Sequence, residues 1–139
     1  NKNGSIYLDY MNNPRYTDDN TLIYGQNMKN GSMFGQLKKY KDKEFFVENP
    51  YFYILKPDGG ADKYEIFSYY TTDSLDSYVI SFGGASKRAE YLDMVYNIST
   101  YDTGIEVGED DGLVTLITCE ENRTSEYTRF IVHGRRLSR

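Results

Sequence analysis

Short apolar and aromatic runs separated by turn residues recur along this chain, the pattern of short β-strands. Ser5-Ile6-Tyr7-Leu8-Asp9-Tyr10 reads as a strand stopped by the turn Asn12-Asn13-Pro14, and Asn20-Thr21-Leu22-Ile23-Tyr24 as a second that ends at Gly25. Phe45-Phe46-Val47 and Tyr51-Phe52-Tyr53-Ile54-Leu55 are short apolar runs of strand character, the latter closing at Pro57-Asp58-Gly59-Gly60. From Lys63 to Tyr70 the alternation sets Tyr64, Ile66, Ser68 and Tyr70 against Lys63, Glu65, Phe67 and Tyr69, and this segment pairs as a hairpin with the run before it. The period lengthens in two places. Ser32 is a candidate helix cap, with Met33, Phe34, Leu37 and Tyr40 at helical spacing before the charged stretch Lys41 to Glu44. Ser86 to Ile98 is the clearer helix, with Ala89, Leu92, Val95, Tyr96 and Ile98 as its apolar stripe and Gly83-Gly84 just ahead. Two strong strands, Leu113 to Cys119 and Arg129 to His133, close the chain. The expectation is a mainly β single domain over residues 1–139: a closed or nearly closed β-barrel of about seven to eight short strands with two short helices.

Composition narrows the picture. At 139 residues the chain can bury one core, and its 15 Tyr and 7 Phe suit a pleated surface. The net charge of −5 argues against nucleic acid as a partner, because phosphate binding needs a basic face. The basic end Arg135-Arg136-Leu137-Ser138-Arg139 reads as a solvated tail. No apolar run approaches the ~20 residues needed to span a bilayer. The first residue is Asn1 rather than Met, so the sequence reads as an excerpt of a longer protein. A lone cysteine excludes an intramolecular disulfide, and one His with one Cys falls short of a metal-ligand set, so neither metal nor cofactor is expected.

That cysteine carries the candidate chemistry. Asp111 to Gly134 reads as an antiparallel hairpin, and pairing of its arms brings Cys119 beside Arg129, ten positions on. Alternation puts Arg129, Ile131 and His133 on one face and Phe130 and Val132 on the other. A guanidinium near the sulfur favours the thiolate and can donate to an oxyanion formed when that thiolate attacks a carbonyl. The competing reading is a small buried hydrophobe, the commonest state of a free cysteine. His133, the only histidine, lies four residues from Arg129, ~13 Å along a strand, too far to serve the same atom, and reads as structural.

Thr115-Leu116-Ile117-Thr118-Cys119, with Arg129 ten residues on, resembles the Thr-Leu-x-Thr-Cys signature of sortases. The N-terminal half agrees: Asn20-Thr21-Leu22-Ile23-Tyr24-Gly25, then Asn27-Met28 and Gly31-Ser32-Met33-Phe34-Gly35-Gln36-Leu37, resemble the strand carrying Tyr-Gly-His-Asn-Met and the Met-Phe-x-x-Leu helix that follows it. The helix-bearing insertion Thr72 to Val107 looks like class B rather than class A. The resemblance implies a Cys transpeptidase that anchors secreted proteins bearing a Pro-x-Thr sorting signal to peptidoglycan or pilin amines, on the extracellular face of the cell membrane. Cys119 would be its nucleophile and Arg129 its oxyanion donor, with Ile117, Thr118 and Asn27 as candidate substrate contacts.

The chain departs from that pattern twice. Where the family carries its catalytic histidine this sequence has Gln26, which hydrogen-bonds but cannot act as an imidazolium; loss of general acid–base help costs ~10²–10⁴-fold. The intact remainder of the motif set favours a deliberate replacement over a natural variant. The resemblance also places N-terminal helices and one or two strands ahead of Ser5-Ile6-Tyr7; without them a barrel edge is exposed and can pair with another chain. Two readings result: a transpeptidase impaired by Gln26, or an inactive sortase-like module that binds sorting peptides.

Overall fold

The computed structural model describes residues 6–8, 17–25, 37–56, 59–119 and 125–137. Six strands form one sheet: β1 (Ile6–Leu8), β2 (Thr21–Gly25), β3 (Tyr51–Leu55), β4 (Ala61–Thr72), β5 (Leu113–Cys119) and β6 (Arg129–Arg136). Their order is β1-β2-β5-β6-β4-β3, so the cysteine strand and the arginine strand are central and β1 and β3 are the edges. All pairs are antiparallel except β2 with β5. Two α-helices, α1 (Lys43–Glu48) and α2 (Ala85–Ile98), and a 3-10 turn over Leu37–Lys41 complete the described fold.

Six of the seven sequence-predicted runs are strands. The seventh, Phe45-Phe46-Val47, is helical and forms the middle of α1. Three consecutive apolar residues carry no period, and the local signals decide: Asp42 caps the helix, its Oδ1 accepting from the Glu44 amide at 3.0 Å, and the Asn49 amide closes the other end on Phe45 and Phe46. Phe45 packs edge-on to Tyr40 at 4.7 Å and Phe46 lies 5.2 Å from the Tyr69 ring, while Val47 is left exposed. Of the helix expected from Ser32, Leu37 and Tyr40 fall in the 3-10 turn; Ser32, Met33 and Phe34 lie outside the described residues.

Both faces of the sheet are buried. One cluster, Ile23, Ile66, Tyr69, Val114, Leu116, Phe130 and Val132 among others, lies under the 3-10 turn and α1. The other, with Leu22, Phe67, Tyr70, Leu113, Ile117 and Ile131, lies under α2 and the segments flanking it. The strict alternation expected over Lys63 to Tyr70 fails at a bulge between Ile66 and Ser68. The bulge shifts the phase, so Tyr64, Ile66 and Tyr69 share one cluster while Phe67 and Tyr70 join the other, and the Ser68 hydroxyl donates to the Val95 carbonyl of α2 at 2.6 Å.

α2 starts after Gly83 and Gly84, whose φ of 78° and 146° suit only glycine. Its buried residues are Tyr91, Leu92 and Val95, so the stripe is rotated from the expected one: Ala89 and Ile98 are exposed. The basic end is a correction as well. Arg135 and Arg136 belong to β6, where Arg135 pairs with Glu65 at 2.8 Å and with Asp111 at 3.0 Å.

Candidate active site

The β5–β6 register makes Cys119 the direct partner of Arg129, and β4 continues the row with Thr72 opposite Arg129. Thr115 and Ile117, at alternate positions of β5 before Cys119, face the side covered by α2. On the other flank of β5, parallel pairing sets Gly25, the last residue of β2, opposite Thr118. The chain leaves β2 toward position 26 one residue from the cysteine row. Gln26 and Asn27 themselves lie outside the described residues, and of Cys119 the strand backbone is described.

Arg129 is half-buried and held by the turn that precedes it. Its Nη1 donates to the carbonyls of Glu126 at 2.8 Å and Thr128 at 2.9 Å. Both bonds use one nitrogen. Among the described residues Nε and Nη2 take no partner, so part of the guanidinium fork remains available to an oxyanion. The turn is built from short polar side chains: the Ser125 amide donates to Thr128 Oγ1 at 3.0 Å, and the Tyr127 amide to Ser125 Oγ at 3.0 Å. Thr128 then donates through its hydroxyl to Asp73, which ties the turn to the segment leaving β4. Sequence reasoning missed these residues; a Ser-x-x-Thr spacing just before a strand was the signal that could have found them.

Ile117 is 1% exposed, inside the cluster beneath α2, and Thr118 is buried as well. His133 sits four register positions from the Cys119–Arg129 pair, opposite Thr115. Both its ring nitrogens are engaged in the core, Nε2 with the Tyr70 hydroxyl at 2.6 Å and Nδ1 with Thr115 Oγ1 at 2.8 Å. Burial holds its pKa down to about 3, so the ring is neutral. Among the described residues no group of His, Cys, Asp and Glu is placed to hold a metal, and no helix is long and apolar enough to cross a membrane.

A half-barrel sheet whose central cysteine strand pairs with an arginine strand, and whose second flank is a parallel strand ending beside the cysteine, defines a sortase-type domain. The chain belongs to the sortase family: the Sortase domain profile matches residues 1–137. Within the family it is similar to sortase B of Listeria monocytogenes, with 38% identity over 140 residues, 98% of this chain and 55% of that protein. The chain spans about half the length of the curated relatives it matches. Clostridium perfringens sortase B superposes with a TM-score of 0.84 at 30% identity, covering 99% of this chain and 75% of that one. A sortase B complexed with triglycine superposes at 0.81 with 25% identity, over 96% and 62%.

Proposed function

We propose that this domain is the catalytic portion of a cysteine transpeptidase acting on the extracellular face of the cell membrane. The Cys119 thiolate attacks the Thr carbonyl of a Pro-x-Thr sorting signal, the peptide bond breaks, and a thioester remains on the sulfur while the leaving amine takes a proton. An amine of peptidoglycan or of a pilin then attacks the thioester, forms the new amide and returns the thiol. Arg129 donates to the oxyanion of each tetrahedral intermediate. The observation that carries this reading is the Cys119–Arg129 register pair, with the guanidinium tethered through Nη1 among the described residues. The sortase B relative that holds triglycine supports a small amine as acceptor.

Gln26 occupies the acid–base position and has no proton to transfer near neutral pH, so this form turns over slowly. Asn27 and Thr118 are the substrate contacts that the motif resemblance implies, and Ile117 supports β5 from within the core. The observation favouring the second reading, a peptide-binding module without turnover, is Gln26 itself. Intact mass after incubation with a Pro-x-Thr peptide separates the two. A thioester adduct on the Gln26→His form, absent once Cys119→Ala is added, supports the transpeptidase. Peptide binding with no adduct on Gln26→His leaves the binding module.

A further inference from the structure

Beneath α2 six buried polar residues from six segments form a closed circuit, five links between side chains and one through the Ser77 backbone carbonyl, and their donor capacities fix its direction. Asn20 points Nδ2 at two acceptors, the Val79 carbonyl at 2.8 Å and the Tyr91 hydroxyl oxygen at 3.3 Å, which leaves Oδ1 to accept from Thr115 at 3.0 Å. Thr115 has spent its one proton, so its oxygen accepts from His133 Nδ1–H at 2.8 Å. His133 Nε2 therefore accepts, taking the Tyr70 proton at 2.6 Å, and the Tyr70 oxygen accepts from Ser77 Oγ–H at 2.5 Å. Tyr91 donates to the Ser77 carbonyl at 2.6 Å and closes the circuit. Every bond runs head to tail, the arrangement in which neighbouring dipoles reinforce one another in a low-dielectric interior.

The ring joins two bodies. Thr115, His133 and Tyr70 belong to the sheet and Asn20 immediately precedes β2; Ser77, Val79 and Tyr91 belong to the layer lying on it. The covering segment leaves β4 beside Arg129, whose register partner is Thr72, and crosses to β2, where the Tyr78 and Tyr24 rings meet at 6.2 Å. Tyr24 is opposite Ile117, two positions before the cysteine. Two further bonds pin the same segment, from the Asn20 amide to the Ile80 carbonyl at 3.0 Å and from the Phe82 amide to Asp19 Oδ2 at 2.8 Å.

We propose that His133 is a positioning residue: as the Nδ1–H tautomer it closes the ring that locks residues 77–80 onto β2 and β5, and so sets the wall beside the Cys119–Arg129 row. The inference rests on the transpeptidase reading only for what that wall serves; the lock is tested without substrate. In the full chain, Tyr70→Phe removes the hydroxyl between Ser77 and His133 but keeps the ring, and Ser77→Ala removes a single donor should the first variant fail to fold. Hydrogen exchange at the Asn20 amide is expected to speed up roughly tenfold while the β5–β6 ladder amides stay protected, and iodoacetamide is expected to alkylate Cys119 at a rate changed by about threefold or more. Asn20 exchange that moves only in step with the ladder overturns the proposal, as does an unchanged alkylation rate. Failure of the unsubstituted chain to bind a Pro-x-Thr peptide counts against the transpeptidase reading alone, since the exchange and alkylation results decide this one by themselves.

Discussion

Acidification isolates the cost of His133. The side chain is 1% exposed, and the rings of Phe67, Tyr70 and Tyr91 stand 5.8, 5.4 and 6.0 Å from its own. Its hydrogen bonds among the described residues go to Tyr70 and Thr115, neither of which carries a charge to stabilise an imidazolium. With its pKa lowered from 6.5 to about 3 by desolvation, the folded chain resists a proton that the unfolded chain accepts. The contribution of the neutral ring is whole above about pH 6.5 and is lost progressively as pH falls toward the folded value. The slope is about 1.36 kcal/mol per pH unit within that window, so acidification from pH 7 to pH 5 removes about 2 kcal/mol. Carboxylates titrate in the same range, so the measurement is a difference: urea unfolding of the unsubstituted chain and of His133→Gln at half-unit steps between pH 7 and 5. Glutamine cannot titrate, and the stability gap between the two proteins should narrow by about 2 kcal/mol over those steps. Parallel curves, or a gap that widens toward acid, would refute the reasoning, because they require a ring that protonates at least as readily folded as unfolded.

Other outcomes follow from single contacts. Tyr69 is 0% exposed, its hydroxyl has no partner among the described residues, and burial, with Tyr101 and Asp42 adding to it, pushes its pKa to about 12; Tyr69→Phe should therefore raise stability by about 1 kcal/mol in urea unfolding. A Cβ at Gly134 would lie 2.5 Å and 2.6 Å from carbons of the Phe52 ring and 3.1 Å from Tyr64 Cβ, so Gly134→Ala should cost about 1–3 kcal/mol, with part recovered by Phe52→Leu. Gln26→His should raise the rate of sorting-peptide cleavage by ~10²-fold or more in a fluorescence assay, with no rise when Cys119→Ala is present. In that Gln26→His background, Arg129→Lys keeps the charge but loses the planar fork that reaches the turn and an oxyanion together; adduct formation should slow about 10²-fold while peptide affinity changes little.

The strands were legible as short apolar and aromatic runs bounded by turn residues, and the helix over Ala85–Ile98 was legible from its length and the glycines ahead of it. Phe45-Phe46-Val47 was not, because a triplet of apolar residues fits either period and an aspartate cap three residues upstream outweighed it. β4 was read in the wrong phase after Ile66, since a bulge is set by the partner strand and leaves no mark on its own hydrophobic pattern. Arg135 and Arg136 resembled a tail because their partners Glu65, Asp111 and Asp62 are distant in sequence.

The sequence by itself determined the candidate residues and their spacing: a thiol at the end of one strand, an arginine opening the next, and a glutamine at position 26, which the motif resemblance aligns with a histidine. Such features are local, written in residue type and short-range order. Only the tertiary structure decided what surrounds them. The orientation of the Arg129 fork depends on a turn tied through Asp73, 55 positions from Thr128 in sequence, to the segment leaving the neighbouring strand β4. The state of His133 depends on partners 63 and 18 positions away, and the ring that contains it closes only when six segments meet. A hydrogen bond's direction is fixed by what its acceptor must donate elsewhere, and that accounting becomes possible only once the chain has folded.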